Sequence, residues 1–147
     1  MKKAMKLFAV LFTALFVLLG CAKEETATFE QKNSFQTSTL FYYHKGDVVT
    51  KQVAENKYVI SELPMSEEEA MEQIKKMNEL YTSIKGVTAS LESKDGIITQ
   101  VVTFDYSVVK FEDLKKALPD NFSGDGNAVS FKASKEAMEK IGYKEKK

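Results

Sequence analysis

The first 21 residues decide how much of this 147-residue chain is available to fold. Three lysines within the first six residues precede an apolar run, residues 7–19, which closes on Gly20 and Cys21. A basic start, a short apolar segment and a small residue before the cleavage point are the parts of an export signal. Because a cysteine directly follows that small residue, the pattern is typical of a bacterial lipoprotein signal. It predicts cleavage behind Gly20 and lipidation of Cys21.

Two other interpretations of this segment stay open. A transmembrane helix needs about 20 mainly apolar residues, and residues 7–19 fall short of that length. An ordinary secretory signal followed by a chance cysteine is the second alternative. Cys21 is the only cysteine of the chain and stands at the position that lipidation requires. The lipid anchor is therefore favoured, and it places the chain on the extracytoplasmic face of a cell membrane.

Composition limits the function classes that the mature chain can serve. Removal of residues 1–20 from 147 leaves 127 residues, which suits one domain with its own core. The whole chain has 21 basic and 21 acidic residues, and loss of three lysines with the signal leaves a net charge of minus three. That balance argues against a nucleic-acid partner. With Cys21 lipidated, no thiol is left for a disulfide or a metal, and we expect no cofactor.

All basic side chains are lysines, since the sequence contains no arginine. Bidentate clamping of phosphate or carboxylate by a guanidinium group is therefore excluded, which weakens phosphate-ligand hypotheses. The same bias is typical of a genome rich in adenine and thymine, and it indicates a Gram-positive source.

Local patterns predict an α+β fold, with an antiparallel sheet and helices packed on one face. Residues 21–27 are short, polar and charged; they are predicted to form a tether, with a single domain over residues 28–147. Two hairpins are predicted, with turns at Lys45-Gly46-Asp47 and at Asp95-Gly96. A helix pattern follows each hairpin, which indicates a duplicated strand-hairpin-strand-helix unit.

Four finer expectations concern where elements begin and end. Ser66 and Glu69 form a capping box ahead of a long amphipathic helix. A break is expected at Asn56, between two strand patterns. Ser134 is expected to cap the last helix. The tail, residues 143–147, is expected to be solvated.

Candidate ligand contacts lie at the first hairpin. His44 is the only histidine of the chain, so a metal site built on paired histidines is excluded. It is predicted at a strand end close to Tyr42, where an imidazole and a phenol are able to contact a ligand. The alternative is a surface histidine without a binding role. We take Tyr42 and His44 as candidate ligand contacts and expect no catalytic residue.

Acidic residues are the other candidates for chemistry. The densest acidic group is Glu67, Glu68, Glu69 and Glu72, and carboxylates one helical turn apart can supply oxygen ligands to a hard cation. The helix dipole favours acidic residues in any first turn, so a plain helix start is preferred. Paired carboxylates would also suit a glycosidase. The sequence contains no Gly-x-Ser-x-Gly elbow, phosphate loop or His-Glu-x-x-His motif.

Several of these features together resemble one family. They are the lipoprotein signal, the hairpin Tyr42-Tyr43-His44-Lys45-Gly46-Asp47-Val48-Val49-Thr50-Lys51-Gln52, the long capped helix and the closing helix that ends Ile141-Gly142-Tyr143-Lys144. This combination is similar to the YehR-like family of small bacterial lipoproteins, whose domain has no assigned function. The resemblance covers nearly the whole mature chain. It implies a compact α+β domain on a lipid anchor and brings no catalytic residue with it.

These patterns predict a non-enzymatic binding or interaction module at the cell envelope. A lipid anchor and aromatic hairpin residues, without a recognised catalytic motif, favour a protein, peptide or envelope ligand as the partner. The helix-free sheet face and the hairpin around residues 42–47 are the expected contact surfaces. A lipoprotein that binds a small molecule or a metal, and a small carboxylate-dependent envelope enzyme, stay open as alternatives.

Overall fold

The computed structural model describes residues 12–13, 23–120, 122–123 and 126–147. Cys21 is outside these ranges, so its lipidation stays a prediction. In chain order the elements are β1 Phe12–Thr13, β2 Glu24–Lys32, β3 Gln36–Lys45, β4 Val48–Val59, a 3-10 turn Ile60–Glu62, α1 Glu67–Thr82, β5 Val87–Lys94, β6 Ile97–Asp105, α2 Phe111–Ala117, β7 Phe122–Ser123, α3 Phe131–Lys140 and β8 Lys144–Lys146.

Six of these strands form one antiparallel sheet in the order β5-β6-β4-β3-β2-β8. The strands β1 and β7 make a separate, parallel pair of two residues each. The predicted α+β class with an antiparallel sheet is therefore confirmed. In the part of the chain that the structure describes, none of the helices has the length and apolar character needed to cross a bilayer.

Two tight turns set the register of the sheet. In the β5–β6 hairpin, Asp95 and Gly96 have φ values of 52° and 77°, which suit a two-residue turn of type I′. In the β3–β4 hairpin, Gly46 has a φ of 56°, and the pairing register shifts between Tyr43 and His44. A helix follows each hairpin, although α1 has 16 residues and α2 has seven. The duplication itself stays a prediction.

The three helices pack on the same face of the sheet. Successive side chains of a strand point to opposite faces, and buried residues alternate along β3 and β6. Leu40, Ala54 and Val102 are partners on neighbouring strands and all face the helices. The buried apolar side chains of the helices are Ala70, Ile74 and Tyr81 of α1, Leu114 of α2 and Met138 of α3. The prediction of helices on one face is confirmed.

A row of polar side chains divides the core. Asn56 was expected to break a strand, but it lies fully buried inside β4, which runs unbroken to Val59. Asn56 Nδ2 donates to Gln100 Oε1 at 3.5 Å, and Gln100 Nε2 donates to Asn78 Oδ1 of α1 at 2.6 Å. Paired amides can be buried because each satisfies its neighbour. The smaller apolar cluster beyond this row is built on Tyr58, Ala70, Ile74 and Ile98.

Both ends of the described domain add backbone pairing at one edge of the sheet. β2 begins at Glu24, so the expected tether of residues 21–27 overlaps a strand that pairs with β3. The tail, which we expected to be solvated, forms β8, and its Lys146 lies opposite Thr28. Sequence patterns did not predict these two strands because their side chains are mainly polar. Backbone hydrogen bonds, rather than burial of apolar side chains, hold them in the sheet.

The predicted cap of α1 is confirmed, and the predicted cap of the last helix, α3, is wrong. Ser66 and Glu69 form the expected capping box of α1. The last helix is capped by Ser130 instead of Ser134, and Ser130 Oγ accepts from Ala133 N at 3.1 Å. Ser134 is buried within the first turn, where its hydroxyl donates to the Ser130 carbonyl at 2.7 Å.

Candidate functional site

The two predicted ligand contacts lie in the core. Tyr42 is fully buried and His44 is 6% exposed. The His44 ring stacks on Phe131 of α3, with ring centroids 3.7 Å apart and an interplanar angle of 4°. Its Nδ1 donates to the Gly46 carbonyl at 2.8 Å, because a carbonyl can only accept. We expected an accessible hairpin, but packing against α3 covers both rings, so neither presents itself at the surface.

The turn that follows His44 supports the start of α3. Asp47 Oδ2 accepts from Ser130 Oγ at 2.8 Å, and Asp47 Oδ1 accepts from Lys132 N at 2.7 Å. The Asp47 carbonyl accepts from Phe131 N at 2.8 Å. A carboxylate at a helix N-terminus stabilises the helix through its backbone donors and its dipole. The hairpin is therefore a structural clamp on α3.

Buried tyrosines lie on the covered side of the sheet. Burial raises the pKa of Tyr42 and Tyr58 far above the ordinary 10.0, and it raises the pKa of Tyr81 to about 12. Tyr42 Oη, Tyr58 Oη and Gln52 Nε2 have no hydrogen-bond partner among the residues described. Tyr106 Oη donates to Gln52 Oε1 at 3.1 Å. These phenols stay neutral at ordinary pH and contribute packing.

Three of the four acidic residues at the start of α1 have structural partners. Glu69 completes the capping box, and Glu67 Oε1 accepts from Ser93 Oγ at 2.7 Å. Glu72 lies 2.8 Å from Lys76 Nζ, and this hydrogen bond lowers the pKa of Glu72. Within the described ranges, no three His, Cys, Asp or Glu side chains are grouped so that they could hold a metal ion. The plain helix start accounts for these carboxylates.

The helix-free side of the sheet, here called the open face, is the other predicted contact surface. One row across it joins, in register, Thr28, Phe41, Val53, Thr103 and Thr88. At about 4.8 Å between strands, these five positions span about 19 Å. Thr88 is exposed and the other four are half-buried by their neighbours. An aromatic and β-branched pair thus occupies the centre, with threonines on both sides.

Further side chains extend the open face along the strands. Val59 and Ile97 are partners at one end and are 40% and 38% exposed. Val101, half-buried, lies between them and the central row. At the other end, Lys51 Nζ lies 4.1 Å from the centre of the Tyr43 ring. The open face therefore has an apolar centre that continues through Val101 to the exposed pair at one end, with threonines on both sides of the centre and Lys51 at the other end.

Sequence reasoning named this surface but chose none of its residues as ligand contacts. The sequence indicated only that side chains alternate along residues 39–43. The Phe41 side chain therefore points to the opposite face of the sheet from those of Leu40 and Tyr42. Because all three side chains are apolar or aromatic, periodicity alone does not tell which face the helices cover. The chosen pair, Tyr42 and His44, belongs to the covered face.

Comparison with known proteins places this chain among lipoproteins. A family model described as "Protein of unknown function (DUF1307)" matches residues 25–144. Uncharacterized lipoprotein Lin0239 of Listeria innocua is 33% identical over 99% of this chain and 96% of its own length. Lmo0207 of Listeria monocytogenes is 34% identical, over 99% and 98%. YehR of Escherichia coli is 28% identical, over 100% of both chains.

Solved structures agree with the fold. The NMR structure of Escherichia coli YehR has a TM-score of 0.70 and 26% identity, and it covers 86% of this chain and 93% of its own. A Streptococcus pneumoniae protein solved by NMR has a TM-score of 0.58 and 11% identity, with 90% of each chain covered, and shows the fold alone. The resemblance to the YehR-like family is confirmed. The names of the three sequence relatives state lipid attachment and no activity.

Proposed function

We propose, from the premise that this chain belongs to the DUF1307 family, that it is a lipid-anchored, non-enzymatic binding module of the cell envelope. Lipid on Cys21 holds it at the extracytoplasmic face of a Gram-positive membrane. The lipoprotein names of its relatives support the anchor, and two of those relatives come from Listeria. The position of Cys21 directly behind the signal supports lipidation of that residue.

The ligand is a protein that binds the open face. The observation that carries this proposal is the central pair Phe41 and Val53, which lies half-buried on the neighbouring strands β3 and β4 with Thr28 and Thr103 on its two sides. Small molecules favour concave sites that enclose them, whereas a broad sheet face suits a macromolecule. Protein interfaces also combine an aromatic, apolar centre with a polar rim. The open face has that composition.

Several polar side chains that could act in catalysis make structural contacts instead, which supports a non-enzymatic role. His44 is stacked on Phe131, Asp47 holds the start of α3, and Glu69 belongs to a capping box. A general acid or base must reach a substrate proton. Each of these groups is instead committed to an intramolecular contact.

Site-specific crosslinking in cells tests the proposal. A photo-reactive amino acid replaces Val53 on the open face, and a matched variant carries it at Glu136, an exposed position of α3. We expect a discrete crosslinked protein from position 53 and none from position 136. Equal products from both positions, or a glycan recovered instead of a protein from position 53, would contradict the proposed ligand.

The anchor is tested separately in the same cells. Metabolic labelling with a fatty acid should mark the wild-type protein, whereas Cys21→Ser should abolish the label and release the chain from the membrane fraction. Label that persists in Cys21→Ser would place the acyl group elsewhere and refute anchoring through Cys21.

A further inference from the structure

The six-stranded sheet has two edges, and the edge formed by β8 and β2 is protected. β8 has only three residues, Lys144–Lys146, and Lys146 Nζ lies 2.9 Å from Glu30 Oε2 of β2. Beyond β8, the outer side of β2 continues to Glu24 and Glu25, whose side chains are exposed. Short edge strands and charged side chains are means by which proteins prevent a further strand from pairing.

The opposite edge, β5, lacks most of this protection. β5 has eight residues, and it pairs with β6 along its whole length without a shift of register. Residues 87–91, its first five, include neither a charged residue nor a proline. Among the strands that the structure describes, β5 pairs with β6 alone. One side of β5 is therefore open to a further strand.

The pairing with β6 determines which backbone groups of β5 face outward. Just before β5 begins, the Gly86 carbonyl accepts from Asp105 N at 2.9 Å. In an antiparallel pair, residues that direct their N–H and C=O groups to the partner strand alternate with residues that direct them away. Residues 88, 90, 92 and 94 therefore bond to β6. The residues that present their N–H and C=O groups at the edge are Ala89, Leu91 and Ser93.

Helix α1 follows this edge on the covered side of the sheet. Ser93 Oγ donates to Glu67 Oε1 at 2.7 Å, close to the start of α1. Asn78 Nδ2 donates to the Ser90 carbonyl at 3.4 Å. Glu67 and Asn78 are about three helical turns apart, so α1 accompanies β5 over much of its length.

Apolar side chains lie between α1 and the outer side of β5. Met71 and Leu91 are half-buried and pack on the smaller apolar cluster, and Ala89 is half-buried against the larger one. Residues that lie opposite each other on neighbouring strands point to the same face. A strand added to β5 would therefore place alternate side chains beside Leu91 and Ala89. Its other side chains would lie beside the exposed Thr88 and Ser90 of the open face.

We propose that the partner protein adds an extended segment with alternating apolar and polar side chains to β5, as a further strand of the sheet. This inference rests on the protein ligand proposed above. An extended backbone supplies donors and acceptors at the spacing of Ala89, Leu91 and Ser93, and main-chain hydrogen bonds hold segments that bind in this way. The added strand continues the open face beyond Thr88, so one partner contacts both surfaces.

Charge opposes the alternative that two copies of β5 pair with each other. The antiparallel register that uses all three free residues is centred on Leu91. It brings the two Glu92 side chains to diagonal positions about 7–8 Å apart. Glu92 is exposed, and two carboxylates at that distance repel each other. The segment is therefore assigned to a different protein.

Proline at an outward-facing position tests strand addition. Proline has no N–H, and at a position whose N–H faces outward it removes no hydrogen bond from the sheet. Ala89→Pro thus deletes a donor offered to the partner, whereas the matched control Ala89→Ser keeps it. Circular dichroism and urea denaturation show whether both variants are folded.

Crosslinking in cells measures the effect of the proline. A photo-reactive amino acid replaces Glu92, which is exposed beside the edge, and a second variant carries it at Val53 as above. We expect the same partner from both positions. Ala89→Pro should lower the yield from position 92 at least about tenfold, through a lost hydrogen bond and the bulk of the ring, and Ala89→Ser should leave it unchanged.

Amide hydrogen exchange gives a readout that needs no proline variant. In the free protein, the N–H groups of Ala89, Leu91 and Ser93 should exchange faster than those of residues 88, 90 and 92, which bond to β6. Addition of the purified partner captured by crosslinking should slow the first three at least about tenfold. This alternation along β5 distinguishes strand addition from contact by side chains alone.

Three results would overturn the inference. They are a product from position 53 without one from position 92, a product from position 92 that a folded Ala89→Pro variant leaves unchanged, and exchange in the complex that does not alternate along β5. A product that joins two copies of this chain would overturn the assigned partner. A product from position 92 alone would support strand addition and contradict the open face, and no product from either position would overturn both proposals.

Discussion

The two faces of the sheet place neighbouring residues of the same strand in opposite surroundings. On the covered face, Leu40 is fully buried, and even the amide of Gln100 is enclosed with partners. On the open face, Phe41 and Val53 are only half-buried. Leu40 and Phe41 are adjacent and share backbone conformation and strand pairing. The difference between them therefore comes from the helix layer alone.

This contrast separates the face that stabilises the fold from the face that we propose for binding. Burial of apolar surface stabilises the fold on the covered face, and the reactive side chains that we first took for ligand contacts belong to that face. The open face contributes less to folding, so its apolar centre is available to a partner. Substitutions at matched positions on the two faces test this division.

The largest expected difference is between Leu40→Ala and Phe41→Ala. Leu40→Ala removes a fully buried side chain and should lower the free energy of unfolding by about 2–5 kcal/mol. Phe41→Ala removes a half-exposed ring and should lower it by about 1 kcal/mol. Urea denaturation of both variants measures the two values. Equal losses would mean that the open face is part of the core.

The buried amide row gives the next largest effect. Gln100→Met keeps the length of the side chain but leaves Asn56 Nδ2 and Asn78 Oδ1 without their partner, which should cost about 1–3 kcal/mol. The neighbouring Thr99 points to the open face, and Thr99→Val should change stability by less than about 0.5 kcal/mol. The same denaturation experiment compares them. A larger loss in Thr99→Val would reverse the assignment of the faces.

Alkaline pH should weaken the covered face. Burial raises the pKa of Tyr81 to about 12, while a tyrosine in the unfolded chain titrates near the ordinary 10.0. Because the pKa of Tyr81 is raised in the folded state, its contribution to the free energy of unfolding is fully present below pH 10. That contribution is lost as the pH rises from 10 toward 12. The loss due to this one residue is about 1.4 kcal/mol per pH unit. Denaturation at a series of pH values measures it, and Tyr81→Phe should lower the slope by the share of this one residue, while the buried Tyr42 and Tyr58 keep the rest.

The smallest expected effects distinguish two buried hydroxyls. Tyr143 Oη lies 2.8 Å from Ser38 Oγ, so Tyr143→Phe should cost about 1 kcal/mol. Tyr42 Oη has no partner in the part of the chain that is described, so Tyr42→Phe should be neutral or slightly stabilising. Thermal unfolding of both variants is sufficient. A loss in Tyr42→Phe as large as in Tyr143→Phe would indicate a hydrogen bond at that hydroxyl.

The sequence predicted elements whose causes are local. The Asp95-Gly96 turn and the Ser66–Glu69 box each act within four residues, and both form as expected. The expected break at Asn56 failed because its partner Gln100 is 44 residues away along the chain. Ser130, rather than the predicted Ser134, caps α3. The carboxylate of Asp47, 83 residues away along the chain, accepts a hydrogen bond from Ser130 Oγ.

The candidate site was predictable only as a surface. Sequence patterns indicated a helix-free face, yet Tyr42, Tyr43 and His44 all look alike as aromatic candidates beside a turn. The stack of His44 on Phe131 depends on where α3 docks, and no local pattern reveals it. Assignment of side chains to the open face required the pairing register and the position of the helices.

Binding measured beside stability tests the division of the faces most directly. The protein crosslinked from position 53 is purified and titrated against wild type, Phe41→Thr and the control Glu136→Gln, and each variant is also unfolded in urea. We expect Phe41→Thr to lose at least about tenfold in affinity, which is 1.4 kcal/mol, while staying folded, and Glu136→Gln to bind like wild type. Unchanged affinity in Phe41→Thr would contradict the open face as the binding surface.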